Sequence, residues 1–302
     1  MLKDPVVEET INILENNDYS TCRYHGCFDV AARKNELLLL KVLQNVDAFQ
    51  IDQARNLRII SNNLDAHPMV LGIGTRREKL KKGIVYERFE LPTVSIETFR
   101  SMIEDGIFPR FYRDRGGLYV EIDSDVLKEM RRKKGLTQRE LAESVGINKK
   151  VIYEHEKKQL RMFLEIAERI EKMLDTNIIK EANVFKTRKD EHGLPTDKLE
   201  VLVGRDLKKL GFQVEFVKQA PFDVFAKEKV LLISDIEENR RKIVRRVVDL
   251  RNFINLVKKP ALVITESGKE GDILGIPVIE RKELAELEKG KELIKIVKRK
   301  SK

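Results

Sequence analysis

The chain has 302 residues, of which 41% are hydrophobic and 36% charged, and its formal net charge is +9 with an isoelectric point near 9.3. This length allows two or three domains, each with an apolar core. There is no run of eighteen apolar residues and no signal-peptide pattern at the start, which argues against membrane insertion and secretion. Two cysteines and four scattered histidines make neither a disulfide framework nor a zinc site. We therefore expect a cytoplasmic protein with no metal and no cofactor.

The first 121 residues predict an α/β domain. An amphipathic helix over residues 6–14 precedes a β-hairpin, which is predicted from Phe28-Asp-Val, a charged turn and the apolar run at 37–42. A helix over 48–62, a proline-led strand at 68–73 and a strand and helix from Leu91 follow. This order of elements is typical of an α/β domain with a mixed sheet, which we expect to end after a strand at 117–121.

The middle of the chain carries the most specific pattern, Gly135-Leu-Thr-Gln-Arg-Glu-Leu-Ala. Thr137 and Glu140 predict a capping box that starts a helix. Gly146 predicts the end of that helix, because glycine tolerates positive φ, and Asn148 predicts the N-cap of a second helix. A short capped helix, a glycine turn and a second helix with a polar outer face are what insertion into the major groove of DNA requires.

This segment resembles the lambda-repressor/Cro family of helix-turn-helix domains over roughly residues 122–176, which form five helices in that family. The resemblance rests on Leu-Thr-Gln-x-Glu-Leu-Ala, then Gly146-Ile, Ile152 and Glu156. Two residues depart from the family pattern: His155 lies where an apolar residue is usual, and Lys158 lies where glycine is common.

The resemblance also implies the residues of a DNA interface. In that family the position of Gln138 bonds backbone phosphate, and the positions of Lys149, Lys150 and Glu154 face base edges. The residues that we expect at the interface with double-stranded DNA are Gln138, Asn148, Lys149, Lys150, Tyr153, Glu154 and Lys157.

Charge clustering supports this interpretation. Residues 127–161 hold eleven lysines and arginines and five glutamates, so a net charge of +6 lies on the candidate DNA-binding segment. Clustered cations release counterions from phosphates, which supplies most non-specific affinity for DNA. A charge run alone is more often a solvated face, but this one coincides with the motif.

The end of the chain repeats the pattern of the first domain. After a polar linker at 186–196, Phe222-Asp-Val and the apolar run at 230–236 match the first hairpin without gaps. The neighbouring helices and strands agree in order, which predicts that residues 1–121 and 190–302 share one fold. The runs at 37–42 and 230–236 are expected at the centre of their sheets, covered on both faces.

The order of these elements resembles the restriction-endonuclease-like fold, as in archaeal Holliday-junction resolvases. In that family an Asp on the first hairpin strand and a Glu-x-Lys on the next bind Mg²⁺ and position water. The resemblance places Asp29 and Lys41 on two of these positions in the first copy, but Leu39 lies on the glutamate position.

The second copy departs further from the nuclease pattern. Asp223 is retained, Ile233 lies on the glutamate position and Asp235 on the lysine position. One carboxylate on an apolar strand holds a divalent metal poorly, so we expect both copies to be nuclease-like folds without a catalytic site. For Asp29 and Asp223 we favour a structural role in which the side chain bonds the backbone of a turn.

The sequence thus predicts two restriction-endonuclease-like α/β domains with mixed sheets, at 1–121 and 197–302, and a central all-α lambda-repressor-like helix-turn-helix domain at 122–185. The arrangement also resembles archaeal helix-turn-helix transcriptional regulators of about this length. The resemblance implies a non-enzymatic, sequence-specific regulator that binds DNA as a homodimer. One alternative is a divergent nuclease or junction resolvase that uses Asp29, Lys41 and Glu8 or Glu9. Another is a structural adaptor associated with DNA.

Overall fold

The computed structural model describes residues 4–158, 160–185, 191–237, 240–266 and 271–300. The contacts between residues divide the chain into two compact units, and each unit is made of segments that are not consecutive in the sequence. The first unit comprises Met1–Val42, Ala48–Met69 and Thr187–Lys302, and the second comprises Leu43–Asp47 and Val70–Lys186. The predicted linker falls partly outside the described residues, and its part at 191–196 has no helix or strand.

The first unit opens with the predicted helix and hairpin. Helix α1 begins at Pro5 because the Asp4 side chain accepts a hydrogen bond from the amide of Val6 at 3.0 Å. All six residues at 37–42 are buried, as the continuous apolar run predicts for a central strand. The elements up to residue 74 are α1 Pro5–Glu15, β1 Ser20–Arg23, β2 Val30–Arg33, β3 Leu37–Asn45, a short 3₁₀ helix Val46–Ala48, α2 Ile51–Leu64 and β4 His67–Gly74. Residues 43–47 and 70–74 of these elements belong to the second unit.

The second unit holds the remainder of the first sheet and the central helices. Its elements are β5 Ile84–Arg88, β6 Leu91–Ser95, α3 Ile96–Glu104, β7 Phe111–Asp114, β8 Gly117–Ile122, α4 Ser124–Lys133, α5 Gln138–Val145, α6 Lys149–Lys157, β9 Arg161–Phe163, α7 Leu164–Leu174 and β10 Ile179–Lys180. The helices share one apolar core with strands β8 and β9, to which Val120, Ile122 and Met162 contribute. The central segment is therefore mixed α/β, where the sequence predicts an all-helical domain.

The rest of the first unit is the C-terminal half of the chain. Its elements are α8 Lys198–Lys209, β11 Gln213–Phe216, β12 Val224–Lys227, β13 Leu231–Ile236, α9 Arg240–Val257, β14 Ala261–Thr265, β15 Gly271–Ile273, β16 Ile276–Glu280, α10 Arg281–Glu286 and α11 Gly290–Lys300. Residues 231–236 are all buried, in agreement with the predicted central strand.

The strand orders of the two sheets agree with the predicted duplication. The C-terminal sheet runs β11-β12-β13-β14-β16-β15, and the first sheet begins with the same pattern, β1-β2-β3-β4-β6-β5, before it continues to β7-β8-β10 with β9 beside β8. In both, the hairpin strands pair antiparallel, β4 with β6 and β14 with β16 pair parallel, and the last strand pairs antiparallel. The sequence missed the short first strand of each copy, because four mostly polar residues give little signal.

Candidate nucleic-acid interface

The turn between α5 and α6 is built as its residues predict. The Thr137 hydroxyl accepts a hydrogen bond from the amide of Glu140 at 3.2 Å, and the Glu140 carboxylate accepts one from the amide of Thr137 at 2.7 Å. Gly146 closes α5 at φ 73°, a left-handed conformation that strains residues with a Cβ atom. Asn148 then caps α6, and its Oδ1 accepts a hydrogen bond from the amide of Lys150 at 2.8 Å. These local bonds fix where α6 starts.

A single carboxylate, Glu156, ties three helices together. Arg131 of α4 donates two hydrogen bonds to it, Nε to Oε1 at 2.6 Å and Nη2 to Oε2 at 2.9 Å. Gln138 at the start of α5 donates from Nε2 to Oε2 at 2.8 Å. The Arg131 and Glu156 side chains are largely buried, and bidentate pairs of this kind fix geometry as well as charge.

The Glu156 contacts revise two expectations. Arg131 was counted among the cations of the DNA-facing surface, but its guanidinium points inward. Gln138, expected to bond phosphate, uses its amide to hold α5 against α6. Glu156 is part of the sequence motif, but the neighbouring residues do not predict its hydrogen-bond partners, because Arg131 lies 25 residues away.

The outer face of α6 carries the expected polar side chains. Lys149 and Lys150 are exposed, and within the described part of the chain neither side chain forms an ion pair or a hydrogen bond. Lys157 Nζ lies 3.2 Å from the Tyr153 hydroxyl and 5.4 Å from the centre of its ring. This contact raises the pKa of Lys157, so the amine stays charged. The face therefore presents three cations and an aromatic ring.

Glu154 is less available than its neighbours. Its Oε2 lies 3.0 Å from Lys158 Nζ, and this hydrogen bond lowers the pKa of the Glu154 carboxyl. The carboxylate is half-buried and already carries a partner one turn along the helix. A role in accepting a hydrogen bond from cytosine would require this ion pair to open.

The end of α6 differs from the family pattern. His155 is buried, and burial lowers the pKa of its imidazole, so the ring is neutral and substitutes for an apolar residue. Lys158 is extended, at φ −132° and ψ 142°, so no glycine is needed there. The chain then forms β9, which pairs antiparallel with β8, with Met162 buried between two exposed residues.

Strand β9 lies between α6 and α7, in a segment for which the resemblance implies helices only. Residues 122–176 contain four helices, α4 to α7, within the part of the chain that the structure describes, where the family has five. The alternation of Arg161, Met162 and Phe163 has the period of two that belongs to a strand. The Arg161 guanidinium also lies 3.6 Å from the centre of the Tyr112 ring, so this cation faces the sheet.

The N-terminal hairpin brings two of the nuclease-motif positions together. Asp29 is buried, and its Oδ1 lies 3.1 Å from Lys41 Nζ while its Oδ2 accepts a hydrogen bond from the amide of Val42 at 2.9 Å. Lys41 Nζ also donates to the carbonyl of Gly26 at 2.8 Å. Leu39, on the glutamate position, is fully buried, so no carboxylate approaches from this strand.

The acidic residues proposed as substitutes have other roles. Glu8 pairs with Arg23 on β1, and Asp29 bonds the backbone of the neighbouring strand instead of a turn. Within the described residues, no group of three or more His, Cys, Asp or Glu side chains could hold a metal ion.

The equivalent position of the C-terminal half holds two carboxylates and a guanidinium. Asp223 Oδ2 accepts a hydrogen bond from the amide of Ile236 at 2.9 Å, with the same spacing of 13 residues as Asp29 and Val42. Arg246 of α9 lies 2.8 Å from Asp223 Oδ1 and also contacts Asp235. Burial raises the pKa of Asp235 to about 8, and the neighbouring Asp223 adds to this shift. Burial alone would lower the pKa of Arg246, but the two carboxylates outweigh it and raise that pKa.

Comparison with known proteins agrees with the fold of the first half. The family model of the PD-(D/E)XK superfamily domain matches residues 3–109, which hold α1 to α3 and β1 to β6. This match supports a restriction-endonuclease-like part at residues 3–109. No solved structure matches the chain.

Full-length relatives place the whole chain in a family of archaeal proteins named "Putative HTH-type transcriptional regulatory protein". The relative from Methanocaldococcus jannaschii is 33% identical over 99% of this chain and 97% of its own length. Those from Methanothermobacter thermautotrophicus and Pyrococcus furiosus are each 32% identical, over 98% and 97% of this chain and 96% of their own lengths. This chain belongs to that family. Among its described residues, no helix is both long and apolar enough to cross a membrane.

Proposed function

We propose that the protein binds double-stranded DNA at specific sequences through α5 and α6 and acts as a transcriptional regulator. The observation that carries the proposal is the exposed face of α6, where Lys149 and Lys150 stand without partners among the described residues. Lysines on the first turn of a helix in the major groove reach guanine edges or phosphate. The names of the full-length relatives agree with this reading.

The packing beneath α6 supports its role as the recognition helix. Arg131 and Gln138 fix Glu156, so the helix is held by charged hydrogen bonds at one end and by the Asn148 cap at the other. A reading helix must be held within a fraction of an ångström for bidentate contacts to discriminate between bases. Its polar face is therefore fixed before DNA arrives.

The proposal is tested by the double substitution Lys149→Ala/Lys150→Ala. A site is first selected from a random duplex library, and fluorescence anisotropy then compares that site with a scrambled duplex. Loss of base contacts lowers the specificity ratio by about 1–3 kcal/mol for each base-reading residue. The control is Lys208→Ala/Lys209→Ala, which removes the same charge from exposed positions at the end of α8. An unchanged ratio in the α6 variant rejects the assignment.

Gln138→Ala tests the phosphate role separately. A lost phosphate contact weakens selected and scrambled duplexes alike, because such contacts position the helix and carry no sequence information. Since Gln138 also bonds Glu156, the variant is compared with wild type in thermal unfolding. Equal weakening with an unchanged unfolding temperature supports a direct contact, and a lowered temperature supports the internal role alone.

The second candidate is a nuclease, favoured by the PD-(D/E)XK match and by the Asp29–Lys41 pair. We propose that neither half is catalytic, because Leu39 and Ile233 occupy the positions where metal chemistry needs a carboxylate. Linear, branched and single-stranded DNA are incubated with the protein and Mg²⁺ or Mn²⁺. Cleavage that disappears in Asp29→Ala would establish the enzyme and reject this part of the proposal.

A homodimer is the expected DNA-bound form, because one short helix reads too few base pairs. Two recognition helices would then lie about 34 Å apart, or a multiple of that distance, on a two-fold symmetric site. Light scattering on the free protein and on its complex with the selected duplex measures the stoichiometry. A single chain on an asymmetric site would contradict the dimer while leaving DNA binding intact.

A further inference from the structure

The connection between β4 and β5 is a strongly basic surface segment that lies outside the helix-turn-helix motif. Residues 75–83 read Thr-Arg-Arg-Glu-Lys-Leu-Lys-Lys-Gly, with five cations and one acid. The five cationic residues are all exposed, and Leu80 is buried in their midst. The segment is called the basic loop below.

The backbone of the basic loop is fixed. The amide of Thr75 donates to the carbonyl of Glu78 at 2.8 Å, and the Thr75 hydroxyl accepts from the amides of Arg77 and Glu78, both at 3.1 Å. At the far end the amide of Gly83 donates to the Thr98 hydroxyl at 2.9 Å. Since Leu80 anchors the middle, the conformational entropy of the backbone is already lost before any ligand binds.

Across the described residues, none of the five cations of the basic loop forms an ion pair. One acid outside the loop, Asp47, lies close to Arg76 and offsets part of the loop's charge. Asp47 Oδ2 accepts a hydrogen bond from the amide of Arg76 at 2.9 Å, and its Oδ1 lies 3.0 Å from Arg88 Nη2. The bond from Arg76 lowers the pKa of the Asp47 carboxyl. Arg76, Arg77 and Arg88 line an open cleft of about 550 Å³ together with Thr75 and the two carboxylates of Asp47 and Glu78, so cations outnumber acids there by three to two.

The basic loop is joined to the central helices by hydrogen-bonded strands of the same unit. It leads directly into β5, which pairs with β7, which pairs with β8, and β8 pairs with β9 at the end of α6. Glu87 of β5 also lies 3.3 Å from Arg161 of β9. The loop therefore keeps a fixed position relative to α6, as a second contact on one rigid ligand requires.

We propose that the basic loop binds the phosphate backbone of duplex DNA outside the base pairs that α6 reads, with Arg76 and Arg77 as its main contacts. The proposal rests on the DNA binding proposed above and adds a site of different chemistry. Arginine forks match phosphate geometry, and clustered cations gain free energy when they release condensed counterions. The loop contributes affinity and no base discrimination.

The test measures how the affinity of the full chain for DNA depends on salt. Arg76→Gln/Arg77→Gln is compared with wild type by fluorescence anisotropy on the selected and scrambled duplexes, between 50 and 200 mM NaCl. Each lost phosphate contact reduces the slope of log K against log salt by about 0.9, so two contacts reduce the loss of affinity over this range by about tenfold. Both duplexes are affected equally. Lys208→Gln/Lys209→Gln, with the same change of charge, leaves the slope unchanged.

Further variants and ligands separate the outcomes. A slope equal to that of the control overturns the proposal, and so does tighter binding to duplex RNA than to DNA. Lys81→Gln/Lys82→Gln repeats the measurement if the arginine variant unfolds at a lower temperature. The slope could fall in Arg76→Gln/Arg77→Gln while the specificity ratio is unchanged in Lys149→Ala/Lys150→Ala. That result would support the phosphate contact of the loop and reject α6 as the recognition helix. The reverse pattern would reject the loop and retain the helix.

Discussion

The N-terminal and C-terminal halves of the duplication share a strand order and differ in the charges at its centre. The N-terminal half encloses one carboxylate and one ammonium, Asp29 and Lys41, which balance. The C-terminal half encloses two carboxylates, Asp223 and Asp235, against one guanidinium. Protonation of Asp235 restores the balance of one negative and one positive charge, in accord with its raised pKa. The comparison indicates that this scaffold requires a neutral centre and allows different residues to provide it.

The two halves share a hydrogen bond from a backbone amide to the aspartate and an aromatic contact next to it. In each half the retained aspartate accepts a hydrogen bond from the amide thirteen residues later, at 2.9 Å. The preceding residues, Phe28 and Phe222, both pack on Phe253 of α9, with ring centres 5.6 and 5.5 Å apart. The Phe-Asp-Val repeat is thus explained by packing and hydrogen bonding, without catalysis.

The largest effect is expected where the two halves meet. Phe253→Ala removes a fully buried ring that both repeats contact, which costs about 3–5 kcal/mol. Hydrogen exchange of the full chain is expected to lose protection in the β2–β3 and β12–β13 hairpins together. Leu207→Ala, in the core of the C-terminal half, serves as the control and affects that half first. Loss confined to β12–β13 in the Phe253 variant would mean that the halves do not share a core.

Removal of the guanidinium is expected to cost somewhat less. Arg246→Met leaves the buried Asp223 carboxylate without a cation beside the protonated Asp235. We expect it to destabilise the protein by about 3 kcal/mol, the lower end for a buried pair, because the Arg246 side chain is 33% exposed. Urea unfolding measures the change. Arg245→Met removes an exposed charge from the neighbouring position and is expected to be nearly neutral. A loss below about 1 kcal/mol for Arg246→Met would contradict the need for a neutral centre.

The contributions of Asp29 and Lys41 to stability should depend on each other, because the two side chains form an ion pair in the N-terminal half. Lys41→Met leaves the buried Asp29 carboxylate without its cation, but this carboxylate still accepts a hydrogen bond from the amide of Val42. We therefore expect the free energy of unfolding in urea to fall by about 2 kcal/mol. The double variant Asp29→Asn/Lys41→Met removes both charges and should recover most of that loss. Additive losses in the two single variants would show that the two groups act independently, and the comparison with Asp223 and Asp235 would fail.

The smallest expected effect, expressed per pH unit, is the pH dependence of the unfolding free energy that Asp235 causes. Because its folded pKa lies near 8 and the ordinary value is 3.8, the folded state holds a proton between these values that the unfolded state releases. Stability from this group is therefore fully present below pH 4 and is lost as the pH rises to 8. The slope for one proton is at most about 1.4 kcal/mol per pH unit. Asp235→Asn should reduce the change in the free energy of unfolding between pH 5 and pH 8. An equal slope in this variant and wild type would assign the pH dependence to other groups.

Most of the local structure could be predicted from neighbouring residues alone. Thr137, Gly146 and Asn148 fix the turn between α5 and α6 because a cap depends on residues within one helical turn. The runs at 37–42 and 231–236 gave the central strands, since a continuous apolar run is stable only when both faces are covered. The repeated order of these local signals was enough to predict two halves with one strand order.

Which charged groups point inward depends on contacts between residues that are distant in the sequence. Arg131 and Glu156 are separated by 25 residues, and Arg246 approaches Asp223 from 23 residues away, so no local pattern joins them. Strand β9 likewise forms because β8 offers it a hydrogen-bonding edge. Pairing at such distances depends on how the elements pack, because a buried charge is stable only beside a partner that packing brings to it. Local propensity therefore gave the helices and strands, and packing decided where the charges of the interface and of the two centres lie.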